Sequence, residues 1–384
     1  MPGNMYSGLR AAWRGLPKSR GRSSSTAMVV RAFVCKAMLI LAGAFVFGVV
    51  STRAASDKKP NDVAIVGKVR LQRLYHNQAL LPEPEHAGFG SLLYDEKGDL
   101  VLHDGNKTWL YTTGLFEAPT GGQRDWYGKW ISYVREFDVG TLVSGKRRIV
   151  LGLADTDRWA VIHDVIRASE TLFVAFYSAN GKVRAAVSNA PDGRFKAVQD
   201  FKIEVTDGWE KRGGQVDSLE SNGAHVLIEE TDHVLTLWLG YDSYHVDQTA
   251  GQLGWAKVRI DKESGAVELL EKHPRNPLAM LPRNYIAARC GGNLATNIRL
   301  GDQYAFFYYS RQSKNRIMLT AALASDPLFQ HITNLVEIEP PLGDEKVIEK
   351  FESYMFDNEL HIIYEDRLAS GHWGTGIRIY RIQE

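Results

Sequence analysis

Residues 159–188 of this 384-residue chain read WAVIHDVIRASETLFVAFYSANGKVRAAVS, and the group in them that can do chemistry is Asp164. It stands at the mouth of a run apolar enough to be a buried strand, where a carboxylate costs several kcal/mol unless it is paired or used. Arg158, Arg167 and Arg289 are the basic partners the sequence offers for pairing. Use would mean contact with ligand hydroxyls or tuning of a neighbouring acid. Other constellations are thinner. Asp242, His245 and Asp247 share the loop YDSYHVDQ, which suits a polar or solvated turn better than a metal site. Cys290, in ARCGGN, has no flanking histidine motif and reads as a small buried residue. There is no Gly-x-Ser-x-Gly elbow, no phosphate-binding glycine loop, no dinucleotide fingerprint, no His-Glu-x-x-His and no cysteine pair for zinc. Acyl transfer, nucleotide chemistry and zinc hydrolysis therefore lack their usual carriers.

The elements that must position Asp164 are strands. From about residue 63 the sequence shows short β-branched and aromatic runs broken by Gly, Asn and Asp turns, with no sustained helical period. Five runs share one form: KTWLYTTG, TLFVAFYSA, LTLWLGYDS, YAFFYYSR and LHIIYEDR. Their centres, Trp109, Val174, Leu237, Phe307 and Ile363, lie 65, 63, 70 and 56 residues apart. A small antiparallel sheet recurring at that interval cannot bury both faces alone, and the pattern predicts an all-β fold, a five-bladed β-propeller of four-stranded antiparallel blades. Closure without a bare edge asks the last blade to borrow a strand from the other end of the chain, and VAIVGKVRLQRLY at 63–75 is the candidate. A β-sandwich or two β domains is the competing architecture.

The second unit carries a resemblance. Trp159, Ala160, Asp164 and Val165, then Tyr177 and Ser178, then Ala186, Ser188, Pro191, Gly193 and Phe195 are similar to the second blade of family 43 glycoside hydrolases and their five-bladed relatives. The likeness covers about 40 residues closely and some 300 as a pattern of blades. It implies a site built from acids on the innermost strands. Cleaving a glycosidic bond takes one carboxylic acid kept protonated for the leaving oxygen and one carboxylate that activates water, about 6.5–9.5 Å apart when the anomeric carbon inverts. On that pattern Asp99 would be the base and Asp164 a shared acid of the site. Asp217 and Glu220 are the acids of the third unit, where His225 has the better inner-strand spacing. The fourth unit departs from the family, with Arg289 and Asn293 where its proton donor usually stands, so Glu220 or Glu352 would have to serve instead. Trp159, His163, His225, Arg289 and Asn293 are expected to contact substrate. The resemblance requires no cofactor, but it allows a structural calcium ion in the axial channel, held through His372. Among the eight tryptophans after residue 54, loop residues such as Trp126, Trp130 and Trp209 suit stacking on sugar rings, whereas Trp238 suits the core.

Composition narrows the setting. Residues 1–54 hold eight Lys or Arg and no acid, which leaves 38 basic and 45 acidic residues in the remainder, a net of −7 with no reason to seek nucleic acid. Within that segment, Arg31 and Lys36 precede an apolar run from Met38 to Val50, then small residues at Thr52 and Ala54. This predicts a signal peptide, with Met28 as a candidate true start and residues 55–384 as one exported domain, secreted or periplasmic and free of the membrane after cleavage. An uncleaved anchor and an organellar transit peptide are the rival readings. The expectation is a monomeric carbohydrate-active propeller, a glycoside hydrolase acting on oligo- or polysaccharide. The alternative is a propeller that binds carbohydrate without cleaving it, in envelope polysaccharide assembly.

Overall fold

A computed structural model of the chain describes residues 61–81, 86–117, 128–153, 159–206, 208–210, 218–244, 252–278, 286–287, 298–313, 316–343, 345, 348–367 and 373–383. Residues 51–384 form one compact unit, and among the described residues the regular structure is all strand apart from a 3-10 turn at Gly208–Glu210. The chain opens on a hairpin, β1 (Asn61–Val66) and β2 (Val69–Asn77), that turns at Gly67 with φ +61°. Five antiparallel meanders follow. The first is β3 (His86–Asp95), β4 (Lys107–Glu117) and β5 (Lys129–Asp138), edged by the short β6 (Val143–Ser144) and β7 (Arg148–Leu151), both paired with β5. The second is β8 (Val161–Ser169), β9 (Leu172–Ala179), β10 (Lys182–Ser188) and β11 (Lys196–Ala197). The third is β12 (Ser218–Glu230), β13 (Val234–Tyr244), β14 (Gln252–Asp261) and β15 (Val267–Lys272). In the fourth, β16 (Ile286–Ala287) and β17 (Arg299–Leu300) both pair with β18 (Gln303–Ser313), which continues into β19 (Arg316–Ala324) and β20 (Ile332–Glu339). The fifth is β21 (Ile348–Phe356), β22 (Glu359–Arg367) and β23 (Trp373–Gln383). The five centres read from the sequence fall on β4, β9, β13, β18 and β22, the equivalent long strand of each meander.

Those strands are apolar in their middles because both of their faces are buried there, each in a different core. On β9, Phe173, Ala175 and Tyr177 join a core with Tyr111, Val134 and Leu151 of the first meander. Val174 and Phe176, pointing the other way, join Leu237, Leu239 and Val258 of the third. The same alternation sets Phe306 and Tyr308 of β18 beside Trp255 of the third meander, and Ala305 and Phe307 beside Phe351 and Ile362 of the fifth. A further core joins Leu92, Leu110 and Phe137 of the first meander to Ile363, Ile377 and Ile379 of the fifth. Every meander thus shares one core with the meander before it and one with the meander after, and the last shares one with the first. The first two are also hydrogen-bonded directly, through a parallel pairing of β3 with β8 (Leu93↔Val165, Tyr94↔Ile166, Asp95↔Arg167).

The strand anticipated at 63–75 has the position the closure argument requires. β2 pairs antiparallel with β23, from Arg70↔Gln383 to Asn77↔Ile377, so the fifth meander gains its outer strand from the start of the described chain. A buried charge network rivets that junction. Arg378 of β23 donates to Glu339 of β20 at 3.1 Å and to Glu345. Glu339 also takes Arg73 of β2 and the Tyr380 hydroxyl. Glu345 also takes His76 of β2 at 2.7 Å and the Tyr364 hydroxyl. Burial alone would push the Glu345 carboxyl up, but His76 and Arg378 pull it below the ordinary carboxylate range.

Opposite Tyr364 in this sheet lies Gly376, and a Cβ there would overlap the Tyr364 ring, which its hydroxyl bond to Glu345 prevents from swinging away. Gly376→Ala is therefore expected to lower stability by about 1–3 kcal/mol, the usual cost of overpacking. Urea denaturation of the variant would read this directly, and an unchanged midpoint would mean that the ring is free to move.

Candidate functional site

Four of the meanders send polar side chains from their first strands to one buried place. Asp164 lies on β8 just past a bulge in the β8–β9 pairing and is fully buried. Among the described residues its partner is a histidine and not an arginine. Arg167 is exposed, Arg158 and Arg289 lie outside the described residues, and the group that reaches Asp164 is His225 of β12. His225 Nδ1 sits 3.0 Å from Asp164 Oδ2, and its Nε2 sits 2.8 Å from the main-chain oxygen of Asp95 at the end of β3.

That geometry sets the state of the ring. A carbonyl oxygen only accepts, so Nε2 carries a hydrogen towards Asp95, while Nδ1 shares a second proton with the carboxylate. Burial pushes the imidazole down, but the Asp164 carboxylate and the hydrogen bonds at both nitrogens outweigh it, and the net shift is upward. His225 is thus an imidazolium in a charge-assisted pair that ties β3, β8 and β12 together. Its contribution to stability is complete below the ordinary histidine value of about 6.5 and is lost as pH rises through the raised value. The gap in thermal midpoint between the protein and His225→Gln should therefore be largest near pH 6 and narrow as pH rises above about 6.5. A gap that widened with pH would show that the ring is buried neutral.

The second acid is Glu352 of β21, 2% exposed, whose Oε1 accepts the hydroxyl of Tyr94 on β3. Burial first, and then the Glu352 carboxylate, hold the Tyr94 phenol well above the ordinary phenol range, and Asp164 adds to the effect. The structure therefore gathers Asp164, Glu352 and His225 of the expected residues and adds Tyr94. Both nitrogens of His225 are bonded within the protein, so it serves the acid and is not free to contact substrate as anticipated.

The remaining expectations fare differently. Asp99 is exposed and does not join the acids. It ends a tight turn through Gly98 (φ +84°) in which its main-chain N–H donates to Asp95 Oδ1 at 2.8 Å. Glu220 pairs through its backbone with Asp242 of β13, and its side chain is outside the description. His163 is buried at the β8 bulge, and Trp159 is half-buried, bridged to Trp130 of β5. Arg289, Asn293 and His372 lie outside the described residues, as do Asp217, His245, Asp247 and Trp126. Trp209, expected to be available for stacking, packs on Tyr241 with ring centroids 5.6 Å apart and covers Gly254. Among the described residues no group of three or more His, Cys, Asp or Glu is placed to hold a metal.

Asp164 differs from the other buried acids in one respect. Glu210 has both carboxylate oxygens engaged, by Lys272 at 2.7 and 2.8 Å, by the Tyr241 hydroxyl at 2.8 Å and by the Thr206 N–H at 2.7 Å. Glu345 likewise receives donors on both oxygens. Asp164 Oδ1, equally buried, has no hydrogen-bond partner among the described residues.

No family model and no curated protein matches the sequence. Among solved structures the chain is similar to one described as a glycoside hydrolase, at 12% identity over 76% of this chain and 86% of that one, with a TM-score of 0.49. It is also similar to a family 117 glycoside hydrolase produced by the marine bacterium Zobellia galactanivorans, at 12% identity over 84% and 92% of the two chains and a TM-score of 0.46. A third is a family 43 α-L-arabinofuranosidase from Clostridium thermocellum, at 13% identity over 72% and 82%, with a TM-score of 0.40. The resemblance to glycoside hydrolases of this all-β type is distant.

Proposed function

We propose that the protein is an exported, monomeric five-bladed β-propeller that acts on carbohydrate, hydrolysing a glycosidic bond through carboxylates on its innermost strands. The propeller reading is supported by the cyclic succession of shared cores and by the docking of β2 on β23. The observation that carries the chemistry is Asp164 Oδ1, which is buried and has no hydrogen-bond partner among the described residues. A buried carboxylate oxygen left without a donor costs about 1–3 kcal/mol or more, and a purely structural acid avoids that cost, as Glu210 and Glu345 do. Violations of this kind concentrate at functional sites. Asp164 is then the charged acid that holds or tunes the reacting groups, with Glu352 the second carboxylate within the same polar interior.

The test is a hydrolysis panel of oligo- and polysaccharides read by released reducing ends, with Asp164→Asn as the control protein. Release of sugar that depends on Asp164 supports the reading, and no release across the panel counts against it. A second reading, carbohydrate binding without cleavage, is favoured by the near-complete burial of both acids, 0% exposed for Asp164 and 2% for Glu352. Glycan-array binding unaccompanied by product would select it. Export belongs to the same proposal and rests on residues 28–54. A mature protein recovered outside the cytoplasm with its terminus near Ala55 would bear it out.

A further inference from the structure

We infer that Tyr94 is a positioning residue that keeps Glu352 in its carboxylate form, so that Glu352 has the base's part in the chemistry and not the proton donor's; the catalytic half of this statement rests on the hydrolase reading above. The inference begins with a dipeptide. At the end of β3, the Tyr94 side chain donates to Glu352 Oε1, while the next residue, Asp95, offers its main-chain oxygen to His225, which in turn holds Asp164. Two adjacent residues thus set the positions of both acids, one through a side chain and the other through the backbone. The backbone beneath them is fixed by the parallel pairs Tyr94↔Ile166 and Asp95↔Arg167 and by the bridge from Tyr94 to Leu100.

The direction of the hydrogen bond supplies the chemistry. A phenol hydroxyl donates to a carboxylate more strongly than to a neutral carboxyl, so the contact favours the ionised form of Glu352. Tyr94 is itself held neutral, since burial and the neighbouring carboxylates keep its phenol far above the ordinary range. Titratable groups near Glu352 include Tyr94 from β3, Tyr354 on its own strand and, on the neighbouring β22, the buried Glu365 and His361, which pairs with Tyr354 and lies 4.7 Å from its ring. Asp164 and its partner His225 come next, from β8 and β12. Of these, Tyr94 places its hydroxyl proton directly on Glu352 Oε1. A proton donor in glycoside hydrolysis must instead be kept protonated, which a donated hydrogen bond opposes, so the proton for the leaving oxygen would have to come from another acid, the part the sequence also offers to Glu220.

The test is infrared titration of the Glu352 carboxyl, isolated by subtracting the spectrum of Glu352→Gln, in the protein and in Tyr94→Phe. Removing the phenol hydroxyl should raise the midpoint of that carboxyl by about one to two pH units, the scale of one hydrogen bond to a charged group. On a substrate that the panel identifies, the acid limb of kcat/KM should move up by the same amount. A Glu352 midpoint unmoved in Tyr94→Phe overturns the inference. A midpoint that moves while no glycan is cleaved supports Tyr94's hold on Glu352 and counts against the hydrolase reading alone. If Tyr94→Phe does not fold, the phenol can be read from the other side by ultraviolet difference titration of Glu352→Gln. One tyrosine should then titrate at lower pH than in the parent protein, and an unchanged tyrosine profile overturns the inference equally.

Discussion

Replacing Arg378 with methionine is expected to cost the folded protein about 3–5 kcal/mol, the usual penalty for removing one member of a buried ionic network. The side chain is 1% exposed and stands between two buried carboxylates, Glu339 and Glu345, so its loss leaves both with less compensation than burial demands. Arg73, His76 and the hydroxyls of Tyr364 and Tyr380 remain, but Arg73 and His76 enter from β2, whose docking depends on those same acids. The damage should therefore be local first, with faster amide exchange over residues 69–77, and global second, with a lower urea midpoint. Adding Glu339→Gln and Glu345→Gln to Arg378→Met should recover much of the loss, because a neutral network of similar shape is often as stable as the charged one. The charged network carries an acid sensitivity as well. Glu345 titrates below its ordinary range, so its contribution is present above about pH 4.5 and disappears as pH falls through the lowered value. An unchanged midpoint in Arg378→Met would mean that the meanders close without this network.

Asp164→Asn should lower turnover by about 10²-fold or more while costing only about 1 kcal/mol of stability. The separation follows from the state of His225. With an amide at position 164, the ring can give up its second proton, keep its Nε2–H bond to Asp95, and accept at Nδ1 from the new amide, so a neutral pair replaces the charged one in the same space. The anionic oxygen that has no donor among the described residues is gone, and with it the charge assigned to the reaction. Asp164→Ala, by contrast, leaves His225 facing a void and should destabilise by several kcal/mol. The measurements are kcat on a substrate from the panel and the urea midpoint of each variant. Should Asp164→Asn unfold while its activity per folded molecule stays unchanged, Asp164 is a structural acid.

The strands were legible because their residues answer to local rules. Phe173 and Val174 are both apolar, as are Phe306 and Phe307, since neighbours on these strands enter different cores and neither face can be polar. The borrowed strand was legible for a similar reason, since an edge must be covered. What was not legible depends on register between distant segments. His225 is 61 residues from Asp164, and nothing in SNGAHVL says which acid it will meet. Tyr94 ends the alternating run GSLLYD and looks like any core phenol until β21 is laid beside it. Arg378 sits in GIRIYR, where alternation alone suggests an outward-facing arginine, and only the pairing of β23 with β2 encloses it. Asp99 is placed by a local rule, since the turn through Lys97 and Gly98 takes its main-chain N–H to Asp95 and leaves the residue exposed.

The pairing of β2 with β23 separates the order of synthesis from the order of assembly. β2 leaves the ribosome among the first described strands, and its partner arrives last; Gln72 and Gln383, bonded in the folded protein, are 311 positions apart. Four meanders can acquire neighbours while the chain is still growing, but the fifth cannot be completed until β23 is made, and until then the edge of β2 that faces away from β1 has no partner strand. Loop closure rises only with the logarithm of length, so the wait costs little at equilibrium. Its effect is on time: the facing edge of β2 stays open to other strands from its synthesis until β23 docks on it.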